Sequence, residues 1–117
     1  MRLLGALATT ITLAAAVNAG AVHRPRYDVP PGFVRCPRAQ ALNGFFKWAS
    51  VERTTCRAAA RFMRAYGARE AATGTMPRAL RRYRCAIRYW RNADGDIYAS
   101  RHVCRRANVA IRFYGMV

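Results

Sequence analysis

Four cysteines constrain the fold of this 117-residue chain more than any other feature of its sequence. They are Cys36, Cys56, Cys85 and Cys104. An even number of cysteines in a short chain from an oxidising compartment predicts two disulfides, for which three connectivities exist. No C-x-x-C pair is present and the two histidines lie far apart in sequence, so the spacing predicts neither a metal site nor a cofactor.

The first nineteen residues indicate which compartment the chain occupies. Arg2 is the only charged side chain in residues 1–19, residues 3–17 are apolar, and residues 17–19 place small side chains at the −3 and −1 positions of a cleavage site. The apolar run is too short to span a bilayer, which takes about 20 apolar residues. We therefore predict a signal peptide over residues 1–19 and no transmembrane segment in the mature chain. A secreted, extracellular protein is expected, or a periplasmic one in a Gram-negative bacterium.

The mature chain divides into an arm and one domain. Residues 20–32 hold three of the five prolines, so an extended Pro-rich arm is expected there instead of a helix or strand. Residues 33–117 are predicted to form a single small disulfide-stapled domain, because a chain of about 100 residues buries enough surface for only one core. We expect this domain to be a monomer.

The clearest helical pattern runs from Ser50 to Gly67. Ser50 is a suitable N-cap and Gly67 a suitable C′ residue, and apolar residues between them recur on one side at helical spacing. The opposite side carries four arginines, which are Arg53, Arg57, Arg61 and Arg64. Because no regular acidic partner accompanies them, they repel one another, and the stripe is a candidate phosphate or sulfate site. The alternative is an ordinary solvated helix face.

The remaining sequence is typical of sheet. Strict alternation over residues 82–90 predicts a strand, residues 92–96 a hairpin turn, and residues 97–104 the returning strand. A third strand is expected over residues 109–113 and a short first strand over residues 33–36. The predicted fold class is α+β, with one main amphipathic helix packed on a three- to four-stranded antiparallel sheet and two disulfides.

The turn allows two registers for this hairpin. A two-residue loop at Asp94 and Gly95 places Arg88 opposite Arg101, and like charges in that arrangement are unfavourable. A three-residue loop with Gly95 in a bulge position instead collects the apolar residues of both strands on one face, and a buried face is what determines register. We favour the second register.

The favoured register also predicts the disulfide pairing. It turns Cys85 towards the helix and Cys104 away from it. The expected bridges are therefore Cys56–Cys85, which would join helix to sheet, and Cys36–Cys104.

The charge balance points to anionic partners. The chain has 21 Lys and Arg against 5 Asp and Glu, a formal net charge of +16. A field of this sign attracts nucleic acid, anionic glycans and anionic lipid surfaces. The outer face of the predicted sheet interleaves basic and aromatic residues, which are Arg82, Arg84, Arg88, Trp90, Tyr98 and His102. Such a face can stack bases and neutralise phosphates, and Arg84, Arg88 and Trp90 are candidate binding residues. The alternative is a strand face kept soluble by arginine.

Candidate catalytic residues are few. Acid–base chemistry needs a titrating pair held close together, and only His102 with Glu52 or Glu70 remains once arm and turn residues are set aside. The layout of signal peptide, cysteine-bearing helix and Tyr-rich antiparallel sheet resembles the general plan of small secreted ribonuclease-like proteins and of ribonuclease-like effectors of plant-pathogenic fungi. The Tyr-Pro-His region and the terminal cysteine of that family are not found here.

Three hypotheses about function follow. The first is binding without catalysis, by a secreted effector, toxin-like or antimicrobial protein whose Arg-rich helix and sheet faces engage an anionic partner. The second is a ribonuclease-like enzyme or effector with His102 in its site. The third is an inhibitory module that docks on a host or rival protein through the aromatic cluster Phe45, Phe46 and Trp48.

Overall fold

This computed structural model describes residues 24–117 of the chain. They contain six antiparallel strands and one helix. The helix, α1, spans Cys56–Thr73. The strands are β1 (Val34–Cys36), β2 (Phe46–Glu52), β3 (Ala79–Leu80), β4 (Tyr83–Arg91), β5 (Ile97–Arg106) and β6 (Val109–Met116). The predicted α+β class with one main helix is confirmed, whereas three to four strands is too few. The predicted signal peptide lies outside the described residues.

The strands are ordered β1-β2-β6-β5-β4-β3, and α1 packs on one face of the sheet, chiefly against β2. We call this the helix face and the opposite side the far face. Strand β2, an inner strand that the sequence pattern did not predict, contains a β-bulge between Lys47 and Ser50, at which Trp48 has φ 57°. The bulge reverses the alternation of side chains, so β2 shows no period of two in its sequence.

The helix begins and ends six residues later than the pattern indicates. The predicted span, residues 50–67, starts inside β2, because the chain remains extended in the sheet to Glu52. Thr55 is the N-cap, with its side chain accepting a backbone N–H, and Gly74 caps the C-terminus with φ 77°. Gly67 is an interior residue of α1 and is buried. In the part of the chain that is described, no helix is long and apolar enough to cross a membrane.

The β4–β5 hairpin begins in the predicted register and then leaves it. Arg91 lies opposite Ile97, as a three-residue loop requires, but a bulge leaves Tyr98 without a partner and shifts the pairing by one residue. Beyond the bulge, Cys85 lies opposite Cys104. The predicted register is therefore wrong over most of the hairpin.

The two disulfides expected from the cysteine count are confirmed, but both predicted pairings are wrong. One bridge joins Cys36 in β1 to Cys56 at the start of α1, with the Cα atoms 5.3 Å apart. The other joins Cys85 to Cys104 across β4 and β5, with the Cα atoms 4.0 Å apart. The physical reason is the register shift, which turns Cys104 onto the helix face directly beside Cys85.

We expect the hairpin bridge to be a substantial part of the stability of the domain. A Cys85→Ala/Cys104→Ala variant should lose about 2–4 kcal/mol of the free energy of unfolding, because an open chain gains conformational entropy when unfolded. Urea denaturation measures this loss. Peptide mapping under non-reducing conditions checks the pairing itself, and a peptide linked through Cys56 and Cys85 would contradict the structure.

The core lies between α1 and the helix face. Its largest fully buried side chains are aromatic, with Tyr66 on α1 packed edge-to-face against Phe46 of β2 and Phe113 of β6. On the far face, the described part of the arm, residues 24–32, crosses the sheet without forming helix or strand. The arm therefore covers part of the side of the sheet that the helix leaves open.

Candidate anion-binding site

Strand alternation concentrates positive charge on the far face. Seven basic side chains of the strands belong to it, by register and alternation, and these are Arg35, Lys47, Arg84, Arg88, Arg101, Arg105 and Arg112. The only ion pair within residues 24–117 is between Arg105 and Glu52, at 3.6 Å. Most of this charge thus has no carboxylate partner among the described residues, which makes the far face a candidate anion site.

Two arginines of neighbouring strands share one aromatic ring. Arg88 of β4 lies directly opposite Arg101 of β5, the pairing that the sequence argument rejected as repulsive. Their guanidinium carbons lie 4.4 Å and 5.9 Å from the centre of the Trp90 ring. Contact with the negative face of the indole offsets part of the repulsion. Trp90 itself is only 9% exposed, so the two guanidinium groups lie between its ring and the solvent.

The arm and the sheet together line a half-open cavity beside these arginines, of about 520 Å³. We call it the arginine cavity, and it is lined by Arg24, Pro25, Arg26, Asp28, Arg88, Trp90, Arg101 and Tyr114. Asp28 contributes the single carboxylate, and its backbone carbonyl accepts a hydrogen bond from Arg112. Four arginines against one aspartate leave the cavity strongly positive.

A second cavity, of about 740 Å³, lies beside the first. We call it the aromatic cavity, and it is lined by Arg24, Pro25, Trp48, Arg91, Asn92, Ala93, Tyr98 and Met116. Tyr98 is the unpaired residue of the β5 bulge, and its side chain lines this cavity. Arg24 and Pro25 line both cavities, so the arm forms their common wall.

The arm is held in place through Tyr27. Its ring stacks on Trp48 with the planes 3° apart and the centroids at 5.8 Å, and the Arg35 guanidinium lies 4.5 Å from the same ring. The Tyr27 hydroxyl donates to the carbonyl of Ala49 and accepts the N–H of Cys36 at 3.2 Å. Burial raises the pKa of Tyr27, so the hydroxyl remains a donor. These contacts fix where the arm crosses the sheet.

His102 lies on the helix face, so its predicted place on the outer face is wrong. It is fully buried, with Ser100 Oγ 2.7 Å from Nε2 and Tyr66 Oη 2.8 Å from Nδ1. Tyr66 in turn donates to the carbonyl of Pro77 at 2.9 Å. Burial lowers the pKa of His102 to about 3, so it is neutral at ordinary pH. Both ring nitrogens are occupied by hydroxyl groups, an arrangement that stabilises the core and is closed to a substrate.

The predicted helix stripe and the predicted sheet residues lie on opposite sides of the molecule. Arg57, Arg61 and Arg64 are exposed on the outer surface of α1, while Arg53 precedes the helix with φ 59° and is not part of the stripe. Arg84, like Arg88 and Trp90, belongs to the far face. One compact ligand cannot contact both sets.

The aromatic cluster proposed as a docking surface is divided between the two faces. Phe46 is fully buried under the helix, and Phe45 is half-buried at the edge of the core, beside Phe46. Trp48 is half-buried on the far face, between Tyr27 and Tyr114. The cluster is therefore used in packing, and the described residues give no support for docking through it.

Comparison with known proteins finds no matching family model, no similar curated protein and no similar solved structure. The described residues also contain no group of three or more His, Cys, Asp or Glu side chains that could hold a metal ion. The site is accordingly characterised by its own geometry alone.

Sequence reasoning missed several residues of the two cavities. Arg101 could have been found, because the rejected two-residue register places it opposite Arg88. Arg24 and Arg26 were assigned to the arm, but no sequence signal shows where an arm docks. Tyr114 follows the last predicted strand, and its place beside Trp90 depends on the sheet order.

Proposed function

We propose that this protein is a secreted, strongly cationic binding protein of effector, toxin-like or antimicrobial type. It engages an anionic partner through the far face of its sheet, at the arginine cavity. The two disulfides and the absence of a membrane-spanning helix in residues 24–117 are compatible with export.

The observation that carries this proposal is the pairing of Arg88 with Arg101 at a cavity that has one carboxylate. Two guanidinium groups side by side repel each other, and only part of that repulsion is offset by Trp90. An anion between them removes the repulsion and gains charge-assisted hydrogen bonds, which arginine can form in bidentate geometry. The arrangement is therefore more stable with a phosphate, sulfate or carboxylate bound than without one.

The far face is a better candidate than the helix stripe because it is partly enclosed. The arginines of α1 are exposed, so water and salt screen their field. Arg88 is exposed as well, but Arg101 is half-buried, and the arm lines the cavity beside it. A charge contact with less surrounding water is stronger, which favours the sheet site for specific binding.

We expect the double variant Arg88→Gln/Arg101→Gln to bind inorganic polyphosphate about tenfold or more weakly than the unmodified chain. The loss follows from two charge-assisted contacts of about 1 kcal/mol or more each. Isothermal titration calorimetry at several salt concentrations measures it, and the salt dependence should also become shallower.

The matched control is Arg57→Gln/Arg61→Gln, which removes the same charge from the outer surface of α1. It should lose much less affinity, because it changes only the overall field. Equal losses in the two double variants would show that binding depends on net charge alone, and the proposed site would then be wrong.

A further inference from the structure

The geometry points to a single-stranded nucleic acid as the anionic partner, with a phosphate in the arginine cavity and a base in the aromatic cavity. This inference rests on the proposed function, since it names the partner of the same face. The two cavities are immediate neighbours, because Arg24 and Pro25 line both of them. A ligand that occupies both must join an anionic group to a planar or apolar body.

The polar atoms around the cavities favour a heterocyclic body over a hydrocarbon chain. Three buried side-chain polar atoms in residues 24–117 lack a hydrogen-bond partner, and two of them belong to cavity-lining residues, Tyr98 Oη and Trp90 Nε1. Such atoms are rare in folded proteins, because leaving them unpaired is unfavourable. Of these two residues only Tyr98 lines the aromatic cavity, and its buried hydroxyl is the polar atom nearest a base there, whereas the acyl chain of a lipid offers no polar partner.

Asn92 adds a further donor at the aromatic cavity. Its Oδ1 accepts the backbone N–H groups of Asp94 and Asp96, both at 2.9 Å, which fixes the orientation of the amide. The NH₂ group of the same amide is then available to donate to a ligand. A planar ring with acceptor atoms on its edge, lying against Tyr98 and Trp48, satisfies both the stacking surface and this donor.

The adjoining positions of the two cavities favour a single strand over other polyanions. In a duplex the bases are paired and stacked inside, so no base can enter a side cavity, whereas an unpaired strand can turn a base outwards. Polyphosphate and sulfated glycans have anionic groups but no planar aromatic ring, and they would leave the aromatic cavity empty. The cavity volume of about 740 Å³ lies within the ordinary range for ligand sites and exceeds that of one base.

The test compares four probes on the full chain by fluorescence anisotropy or calorimetry. They are a short oligo(U) strand, inorganic polyphosphate with the same number of phosphates, an RNA duplex of the same length, and vesicles that contain an anionic phospholipid. We expect the single strand to bind about fivefold or more tightly than polyphosphate, because base–aromatic contact adds to the charge term. Stronger binding to the duplex or to vesicles would overturn the inference.

Variants separate this inference from the proposed function. Tyr98→Leu should weaken oligo(U) binding about tenfold and leave polyphosphate binding unchanged. The control Tyr89→Leu, at a tyrosine that is 38% exposed on β4, should change neither. If Tyr98→Leu has no effect while Arg88→Gln/Arg101→Gln still weakens polyphosphate binding, the base site is wrong and the proposed function stands. If the arginine variant also has no effect, both are wrong. Circular dichroism of each variant shows whether the fold is retained.

Discussion

Lowering the pH from 7 to 4 is expected to destabilise the fold, because His102 must remain neutral in its buried position. Its pKa is about 3 when folded and about 6.5 in an unfolded chain. Below pH 6.5 the unfolded state therefore binds a proton that the folded state does not, and stability falls as the pH falls. The slope approaches about 1.4 kcal/mol per pH unit between these two values, and the contribution is fully present only above pH 6.5.

Burial is the reason that the neutral form of His102 is preferred, and the hydrogen bonds of the ring are consistent with that form. A single proton arrangement satisfies the network: Ser100 donates to Nε2, Nδ1–H donates to Tyr66, and Tyr66 donates to the carbonyl of Pro77. Burial also raises the pKa of Tyr66, so its hydroxyl stays protonated. Adding a proton to Nε2 means that Ser100 can no longer donate to it, and it places a charge in the core.

Chemical denaturation at a series of pH values measures this effect. The unmodified chain should lose several kcal/mol between pH 7 and pH 4 (roughly 1.4 kcal/mol per unit below pH 6). His102→Gln should be less stable at pH 7 and should show a much flatter dependence, since it cannot titrate. His23→Gln removes the other histidine of the chain and serves as the control, which should keep the slope. An unmodified chain with constant stability over this range would contradict the buried neutral state.

Phe46→Ala is expected to be the most destabilising single truncation, at about 3–5 kcal/mol of the free energy of unfolding. The Phe46 side chain is fully buried and lies edge-to-face against Tyr66, His102 and Phe113, at centroid distances of 5.4–5.5 Å. Removing it takes away these contacts and leaves a cavity at the centre of the core.

The neighbouring phenylalanine provides a matched control for this truncation. Phe45→Ala removes the same number of atoms from a half-buried position at the edge of the core, so it should have a clearly smaller effect. Thermal and urea unfolding of both variants give the comparison. Equal losses would mean that Phe46 is not central to the packing, and the assignment of β2 as an inner strand would be in doubt.

Local sequence patterns were sufficient where one pattern corresponds to one element. The alternation over β4 and β5 predicted a hairpin, the spacing on α1 predicted one amphipathic helix, and the cysteine count predicted two disulfides. Each of these features depends on residues close together in the chain, so the pattern is visible without knowledge of the fold.

The pattern failed at the bulges. Trp48 in β2 and Tyr98 in β5 each interrupt the alternation. The first bulge concealed an inner strand, and the second shifted the register of the β4–β5 hairpin. The wrong disulfide pairs and the wrong face for His102 follow from that single shift, because moving a strand by one residue exchanges its two faces. The predicted helix began too early for a related reason, since the segment up to Glu52 pairs with β6 instead of coiling.

The candidate site was only partly visible in advance. Arg88 and Trp90 were identified from interleaved basic and aromatic residues, and both line the arginine cavity. The cavity itself depends on the arm, which Tyr27 anchors across the sheet, and on Arg101, which the register brings opposite Arg88. These contacts join residues that are distant in the chain, so no local pattern contains them.

The sequence alone thus determined the class of fold, the number of bridges and the sign of the surface charge, because these depend on composition and on short-range spacing. Only the tertiary structure decided which cysteines pair, which face holds His102, and where the arginines converge. Those outcomes depend on strand register and on the path of the arm, and both are set by packing between residues far apart in the chain. The four cysteines predicted a cross-linked domain, and the β-bulge at Tyr98 set the register in which Cys85 pairs with Cys104.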